Sequence, residues 1–501
     1  MAPRPVIQES EDNCPPEALV ECLRTEPGVV MLRSEYSDPR NARFSFVTAR
    51  PFLVLRARGS SCELASATQC QTLYGNPWSI LDSLMARYEL LDEVDLPFPL
   101  GGCFGCWGYD LKNFVEPKLP RRAVNDLDLP DCHVGFYDSL VVFDHSLAKT
   151  WLVSTGLKLD GTRDAGLAQD KLEYWAAKLS AARRVSSTER SSADSSVDRG
   201  AGETPGGLSP ISSNLSRDDF IALVNQAQRY IRSGDIYQVN LAHRLSAACP
   251  VSPWALYQRL ATVSPAPFAA YLDCIDFQIA SSSPELFLLL SGPFIRTQPI
   301  KGTRPRATDP TRDAQLALEL QASPKERAEL VMITDLLRND LGRVCDYGSI
   351  QVPAIARLES FPQVHHLVST VEGRLRPESS HFAARAACFP GGSVTGAPKI
   401  RAMEIIDELE PITRGPYTGC LGFLGFNRES QLSIAIRTAV CGEGYAYFHA
   451  GAGIVSDSIP EAEYEETITK AAGFLRALAW DAHTALPETR WSLPAEKPPL
   501  P

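Results

Sequence analysis

Strand-like runs in this chain follow one another too closely to be joined by crossover helices. ARFSFVTARPFLVLRA (42–57) and VGFYDSLVVFDHSLAKTWLVST (134–155) each hold apolar, β-branched and aromatic stretches separated by only a few turn residues. Parallel neighbours need a connection of about a dozen residues or more, whereas antiparallel neighbours need only a tight turn. The sheet is therefore expected to be antiparallel. Helix-like stretches at 77–90 and 165–182 lie among these strands, so the N-terminal part reads as α+β.

From Val185 to Ser216 the chain is Ser, Gly and charge with almost nothing large to bury. Such a stretch cannot offset its ordering entropy. It predicts a flexible connector over 185–216, between an N-terminal domain at 16–184 and a larger C-terminal domain at 217–485. The latter opens with Ser216 as N-cap of an amphipathic helix whose Phe220, Leu223, Val224, Ala227 and Ile231 share one stripe. Strand-like runs follow (FAAYLD, FQIASSS, ELFLLL), then a helical stretch at 311–341 and a final helix at 460–479.

Composition excludes some function classes. Lys and Arg number 49 against 60 Asp and Glu, a net charge of −11, and no basic face for nucleic acid is expected. A small anionic substrate, which needs only a few local cations, stays allowed. No apolar run reaches the ~18 residues of a membrane span. The first residues show no signal-type apolar stretch, so a cytoplasmic protein is expected. The 13 cysteines are scattered through apolar surroundings and read as buried thiols. Cys103-Phe-Gly-Cys106 has no second pair and so reads as packing rather than a zinc or redox site. Gly419-Cys420-Leu421-Gly422 approaches the G-x-C-x-G nucleophile turn of glutamine amidotransferases. Position 418 is Thr, however, and no His-x-Glu follows. The chain carries no glutaminase of its own.

Two carboxylate pairs have helical spacing: Glu326 with Glu329, and Glu463 with Glu466, the latter followed by Lys470. Each pair shares a helix face. Carboxylates facing one cleft suit a hard cation such as Mg²⁺, but an arbitrary pair of this spacing is far more often solvated helix surface, and the motif alone does not decide it. QPIKGTRPRATD places Lys301 beside Gly302 and near Arg304 and Arg306, without the order of a P-loop. FPGGSVTGAPKIRAM is a Gly-rich turn feeding a helix from about Ala397–Pro398, which suits an anion. FHAGAGIVSDS offers backbone N–H groups to a carboxylate.

Taken in order, nine segments resemble the chorismate-utilising enzymes, a family that includes anthranilate, aminodeoxychorismate, isochorismate and salicylate synthases. They are GDIYQVNLAHR, SSSPELF, PIKGTRPR, KERAELVMITDLLRNDLGRV, VHHLVSTVEGRL, FPGGSVTGAPKIRAMEIIDELEP, GPYTGCLGF, IAIRTA and GAGIVSDSIPEAEYEETITKA, spanning about 217–480. The resemblance implies two large antiparallel sheets flanked by helices, with Mg²⁺ and chorismate in a cleft between them. It implies Glu329 and Glu466 as metal ligands, with Glu326 and Glu463 nearby. Arg437 and Tyr417 would hold the pyruvyl carboxylate, aided by the backbone of Gly451 and Gly453. Lys470 would face the ring carboxylate and metal region, His366 would lie near the ring, and Thr303 would share the active-site loop. Glu285 matches the acid that protonates the departing C4 hydroxyl. Leu330 departs from the His or Asn that several members carry after the metal-binding Glu.

Two positions discriminate among members. Water-adding members carry Lys at the place of Gln238, and a neutral amide cannot act as that base. Most members have Ala at the place of Lys301, and a lysine there resembles the aminodeoxychorismate synthases. In those enzymes its amine is proposed to attack C2 before ammonia attacks C4, with Arg304 and Arg306 available here to lower its pKa. The resemblance then implies chorismate and ammonia as substrates, with a separate glutamine amidotransferase subunit as partner. Anthranilate synthase component I is the competing reading. Ser34, Pro265 and Phe268 match a tryptophan pocket in relatives, so a non-catalytic tryptophan-sensing protein is a third.

Overall fold

The computed structural model describes residues 3–34, 42–91, 96–192, 211–361 and 364–478. It forms two twelve-stranded sheets, antiparallel throughout. The first sheet runs from Val6–Ser10 through Phe44–Thr48, Val30–Arg33, Phe268–Asp273, Gln278–Ser283 and Tyr445–Ile454 to Gln238–Ala248. The second runs from Ile300–Pro305 through Val364–Arg374, Leu286–Ser291, Glu429–Ile434, Cys420–Gly425 and Gly102–Trp107 to Cys70–Tyr74.

Both sheets are built from both parts of the chain. Leu272 pairs with Val30 in the first, and Cys420 pairs with Trp107 in the second. Residues 16–184 and 217–485 therefore share their hydrogen-bond ladders rather than each building a sheet alone. The sheets pack face to face, and Phe46 of one meets Phe423 of the other with centroids 4.9 Å apart. Trp175 and Leu179 of the helix Ala165–Ser192 cover the outer face of the first sheet together with Trp254 and Tyr257.

The expected connector begins later than composition suggests. The helix Ala165–Ser192 runs through the first eight residues of 185–216, and Ser212–Ser213 pairs with Ser246 and Leu245. Residues 193–210 lie outside the described residues. The helix Arg217–Arg232 starts as expected: Ser216 Oγ accepts from the Asp219 N–H, and Asp219 Oδ2 accepts from the Ser216 N–H. The stretch 311–341 is two helices, Pro310–Ala322 and Pro324–Gly342. Ser323 ends one and caps the other, because the residue before a proline avoids helical geometry. The last helix covers Pro460–Leu478, and none of the described helices is long and apolar enough to cross a membrane.

Candidate active site

Two segments pass from one sheet to the other. The chain leaves the first sheet at Ser283 and enters the second at Leu286, and Glu285 lies in that crossing. It returns between Ile434 and Thr438, carrying Arg437 at φ 51°. The crossings are laced together, since Ile434 N–H donates to Glu285 O at 3.0 Å and Ser282 N–H donates to Arg437 O at 2.9 Å. Sharp local geometry of this kind is maintained by surrounding structure, here by the backbone bonds that tie the two crossings together.

Glu285 is buried, and burial pushes its carboxyl up to about 7. A hydrogen bond with Ser393, the charge of Lys301 and the Ile300 backbone pull it partly back. An acid poised near neutrality is suited to protonating a leaving group. Ser393 escapes notice in the sequence, where the FPGGSVTGAP turn suggests an anion site instead. The helix that follows, Lys399–Leu409, has Lys399 Nζ folded back onto Asp340 Oδ2 at 2.6 Å.

Lys301 lies on the strand Ile300–Pro305, paired with Leu367. A Cβ at Gly453 would stand 3.5 Å from Lys301 Nζ and 2.5 Å from Gln238 Nε2, so that glycine permits the close approach. Gln238 Oε1 is buried without a hydrogen-bond partner among the described residues. The neighbouring arginines do not serve Lys301 as expected. Arg304 pairs with Glu326 at 3.8 Å and Arg306 with Asp313 at 2.9 Å, so carboxylates already offset both charges. Gly302 has φ 72°, and a Cβ there would meet Leu320 Cδ1 at 2.8 Å and Glu326 Oε2 at 3.0 Å. His366 Nδ1 donates to Gly302 O at 3.1 Å, with Thr303 Oγ1 equally close, and burial keeps the ring neutral by lowering its pKa.

Opposite these groups, Tyr417 is buried with its hydroxyl 2.7 Å from where a Gly451 Cβ would stand, and its ring stacks on His449 at 5.1 Å. Burial raises the Tyr417 hydroxyl, which stays a proton donor. The Arg437 guanidinium pairs with no carboxylate among the described residues. A neutral phenol and an unpaired guanidinium suit a substrate carboxylate. Lys470 Nζ donates to Gly451 O at 2.8 Å and pairs with Glu466 at 2.7 Å.

The helices Pro324–Gly342 and Pro460–Leu478 bring all four glutamates to this side. Burial raises Glu329, and Glu326 and Glu463 raise it further. Glu463, which accepts from Ser458 Oγ at 2.6 Å, is likewise raised by burial and by Glu466. Burial also acts on Glu466, but Lys470, Lys301 and Lys325 outweigh it and hold that carboxyl low. Among the described residues no three such side chains converge into a preformed cation cage. Oxygen donors of this kind suit a hard dication: one would relieve Glu329 and Glu463, raised by burial and by neighbouring carboxylates, whereas Lys470 already offsets Glu466. Lys325, adjacent to Glu326, also acts on Glu329, Glu463 and Glu466 through its charge, a role not assigned to it from the sequence. Leu330 is wholly buried against Leu320, Ala356 and Leu367, so it packs the helix down rather than adding a polar contact.

Ser34 and Phe268 line a separate small, partly open pocket with Phe44, Phe46 and Gln431. Ser34 N–H donates to Ser45 Oγ at 3.0 Å, and Pro265 is not part of the lining. Cys103, Cys106 and Cys420 are buried strand residues with thiols raised by burial, Cys420 to about 12. They are neither metal ligands nor nucleophiles at neutral pH.

Two antiparallel sheets are joined by crossings that carry Glu285 and Arg437, with Lys301 near enough for its charge to act on Glu285. The chorismate binding enzyme family model matches residues 38–476, and the chain belongs to that family. It is 39% identical over 459 residues to aminodeoxychorismate synthase component 1 of Klebsiella aerogenes, covering 91% of this chain and 95% of that protein. It is 37% identical over 451 residues to anthranilate synthase component 1 of Acetivibrio thermocellus, covering 89% of each. The crystal structure of anthranilate synthase component I from Streptococcus pneumoniae TIGR4 superimposes with a TM-score of 0.70 at 31% identity, covering 88% of this chain and 92% of that one.

Proposed function

We propose that this chain converts chorismate and ammonia to 4-amino-4-deoxychorismate through a covalent adduct on Lys301. The observation that carries this reading is the position of Lys301 Nζ, which approaches Gly453 beside Gln238 and acts on the charge of Glu285. The amine of Lys301 attacks C2, the C1=C2 and C5=C6 double bonds move to C1=C6 and C4=C5, and the C4 hydroxyl leaves as water on taking the Glu285 proton. Ammonia then attacks C4, both double bonds shift back, and the lysine amine departs from C2. Two allylic displacements in succession put nitrogen on C4, whereas one displacement by ammonia puts it on C2. Arg437, Tyr417 and the backbone at Gly451 and Gly453 hold the pyruvyl carboxylate, while Lys470 faces the ring carboxylate. His366 and Thr303 shape the lysine loop. Mg²⁺, held by Glu329 and Glu466 with Glu326 and Glu463 nearby, would offset the substrate's negative charge.

The reading also implies an amidotransferase partner, since Cys420, and Cys103 in the stretch Gly101-Gly102-Cys103-Phe104-Gly105, are buried thiols raised by burial. An anthranilate-type activity competes, because relatives of both kinds are about equally similar. Lys301 favours the first. Product identification from chorismate, Mg²⁺ and an ammonium salt separates them: 4-amino-4-deoxychorismate supports the proposal, and anthranilate with pyruvate overturns it.

A further inference from the structure

A guanidinium is enclosed far from the cleft chemistry. Arg385, on the helix His381–Cys388, is wholly buried, with its central carbon 4.1 Å from the Trp107 ring centroid, 4.5 Å from Trp78 and 4.4 Å from Phe382. These rings engage the cation through their π faces. None of these rings offers a lone pair to the guanidinium N–H groups. Arg385 Nε, Nη1 and Nη2 all lack an acceptor among the described residues, and so does the buried Nε1 of Trp107 beside them.

No carboxylate among the described residues forms an ion pair with Arg385. Trp107 is flanked in register by Cys132 and Cys420 on the neighbouring strands. Burial raises both thiols, so neither is a thiolate at neutral pH. Asp82, the carboxylate whose charge reaches Arg385, accepts from Ser380 Oγ at 2.8 Å and forms no ion pair with the guanidinium. Burial lowers Arg385 only to about 10, which leaves it charged. A buried unpaired cation is costly, and a cluster made only of donors calls for an anion.

We propose that Arg385 and Trp107 bind a buried halide ion, coordinated in the guanidinium plane and by the indole N–H. Complete enclosure by aromatic rings favours a small monovalent ion over a phosphate or carboxylate. The ion would fix the helix whose end leads, through Phe389 packed 5.2 Å from Trp78, into the turn carrying Ser393 to Glu285.

The full-length protein, exchanged into sodium gluconate and titrated with sodium bromide at constant ionic strength, should gain thermal stability saturably. Crystals grown in bromide should show an anomalous peak within hydrogen-bond distance of Arg385 and Trp107 Nε1. Trp107→Phe keeps a ring but removes one donor, and should raise the half-saturating bromide concentration about tenfold. Arg385→Met should abolish the response. An unresponsive wild type, an equal response in Arg385→Met, or only a water molecule at that position would overturn the proposal. If Arg385→Met fails to fold, the anomalous map of the wild-type protein decides alone.

Discussion

Lys301 and Gln238 reach Gly453 from different sheets: Lys301 from the strand Ile300–Pro305 of the second and Gln238 from the strand Gln238–Ala248 of the first. A methyl group at Gly453 would stand 2.5 Å from Gln238 Nε2 and 3.5 Å from Lys301 Nζ. Gly453→Ala should therefore displace the amide and crowd the amine while the sheet stays intact. A misplacement of this size costs about a hundredfold in rate. Steady-state kinetics beside a thermal melt check this, and wild-type turnover would show that the two side chains need not meet there.

Glu285 makes the pH profile informative. Burial holds its pKa near 7, above the ordinary 4.5, so the acid form persists to about pH 7 and is lost above it. If it protonates the leaving hydroxyl, kcat should fall on the alkaline side, tenfold per pH unit. Glu285→Gln should lower kcat by about 10²–10⁴ and erase that limb. An unchanged limb in the variant assigns it to another group.

Glu466→Gln tests the glutamate cluster. The change removes one carboxylate charge facing Glu463 and breaks the 2.7 Å pair with Lys470. Turnover should be lost and the Mg²⁺ concentration needed for any residual rate should rise, with the melting temperature little changed. A wild-type rate at limiting Mg²⁺ would make Glu466 a surface carboxylate.

Support for Tyr417 comes from a buried ion pair. Arg414 donates to Glu410 at 2.8 and 2.6 Å, and Glu410 also accepts from the Ala242 N–H at 2.9 Å. Removing one partner leaves a buried charge unpaired, so Glu410→Ala should cost about 3–5 kcal/mol. Chemical denaturation measures it, and a loss below about 1 kcal/mol would contradict the pairing.

Much of the local structure was legible in the residues. The Ser216 cap and the two glutamate pairs follow from spacing that any helix imposes, whereas 311–341 read as one helix although Pro324 divides it. What pairs across the chain was not. Val30 meets Leu272, and Cys420 meets Trp107, through ladders more than 200 residues apart that no local pattern encodes. The serine-rich stretch misled at its start because Ala165–Ser192 continues as helix past Val185. Arg304 and Arg306 looked free to act on Lys301, yet Glu326 and Asp313, on later helices, pair with them. Ser393 acquired its role only when the fold brought its loop to Glu285.

The lysine itself discriminates between a nucleophile and a mere charge. Lys301→Ala should lose most of the aminated C4 product without unfolding, and leave a trace of the C2-aminated one. Lys301→Arg keeps the positive charge but not the nucleophile, and should be equally inactive. A fully active Lys301→Arg protein would remove the covalent step.

The most direct measurement uses the wild-type protein with chorismate and Mg²⁺ and no ammonia. Rapid quenching, proteolysis and peptide mass spectrometry should find a chorismate-derived adduct, formed with loss of water, on the peptide containing Lys301. Adding ammonia should discharge that adduct to 4-amino-4-deoxychorismate. An unmodified Lys301 in a protein that turns chorismate over as soon as ammonia is supplied would contradict the account.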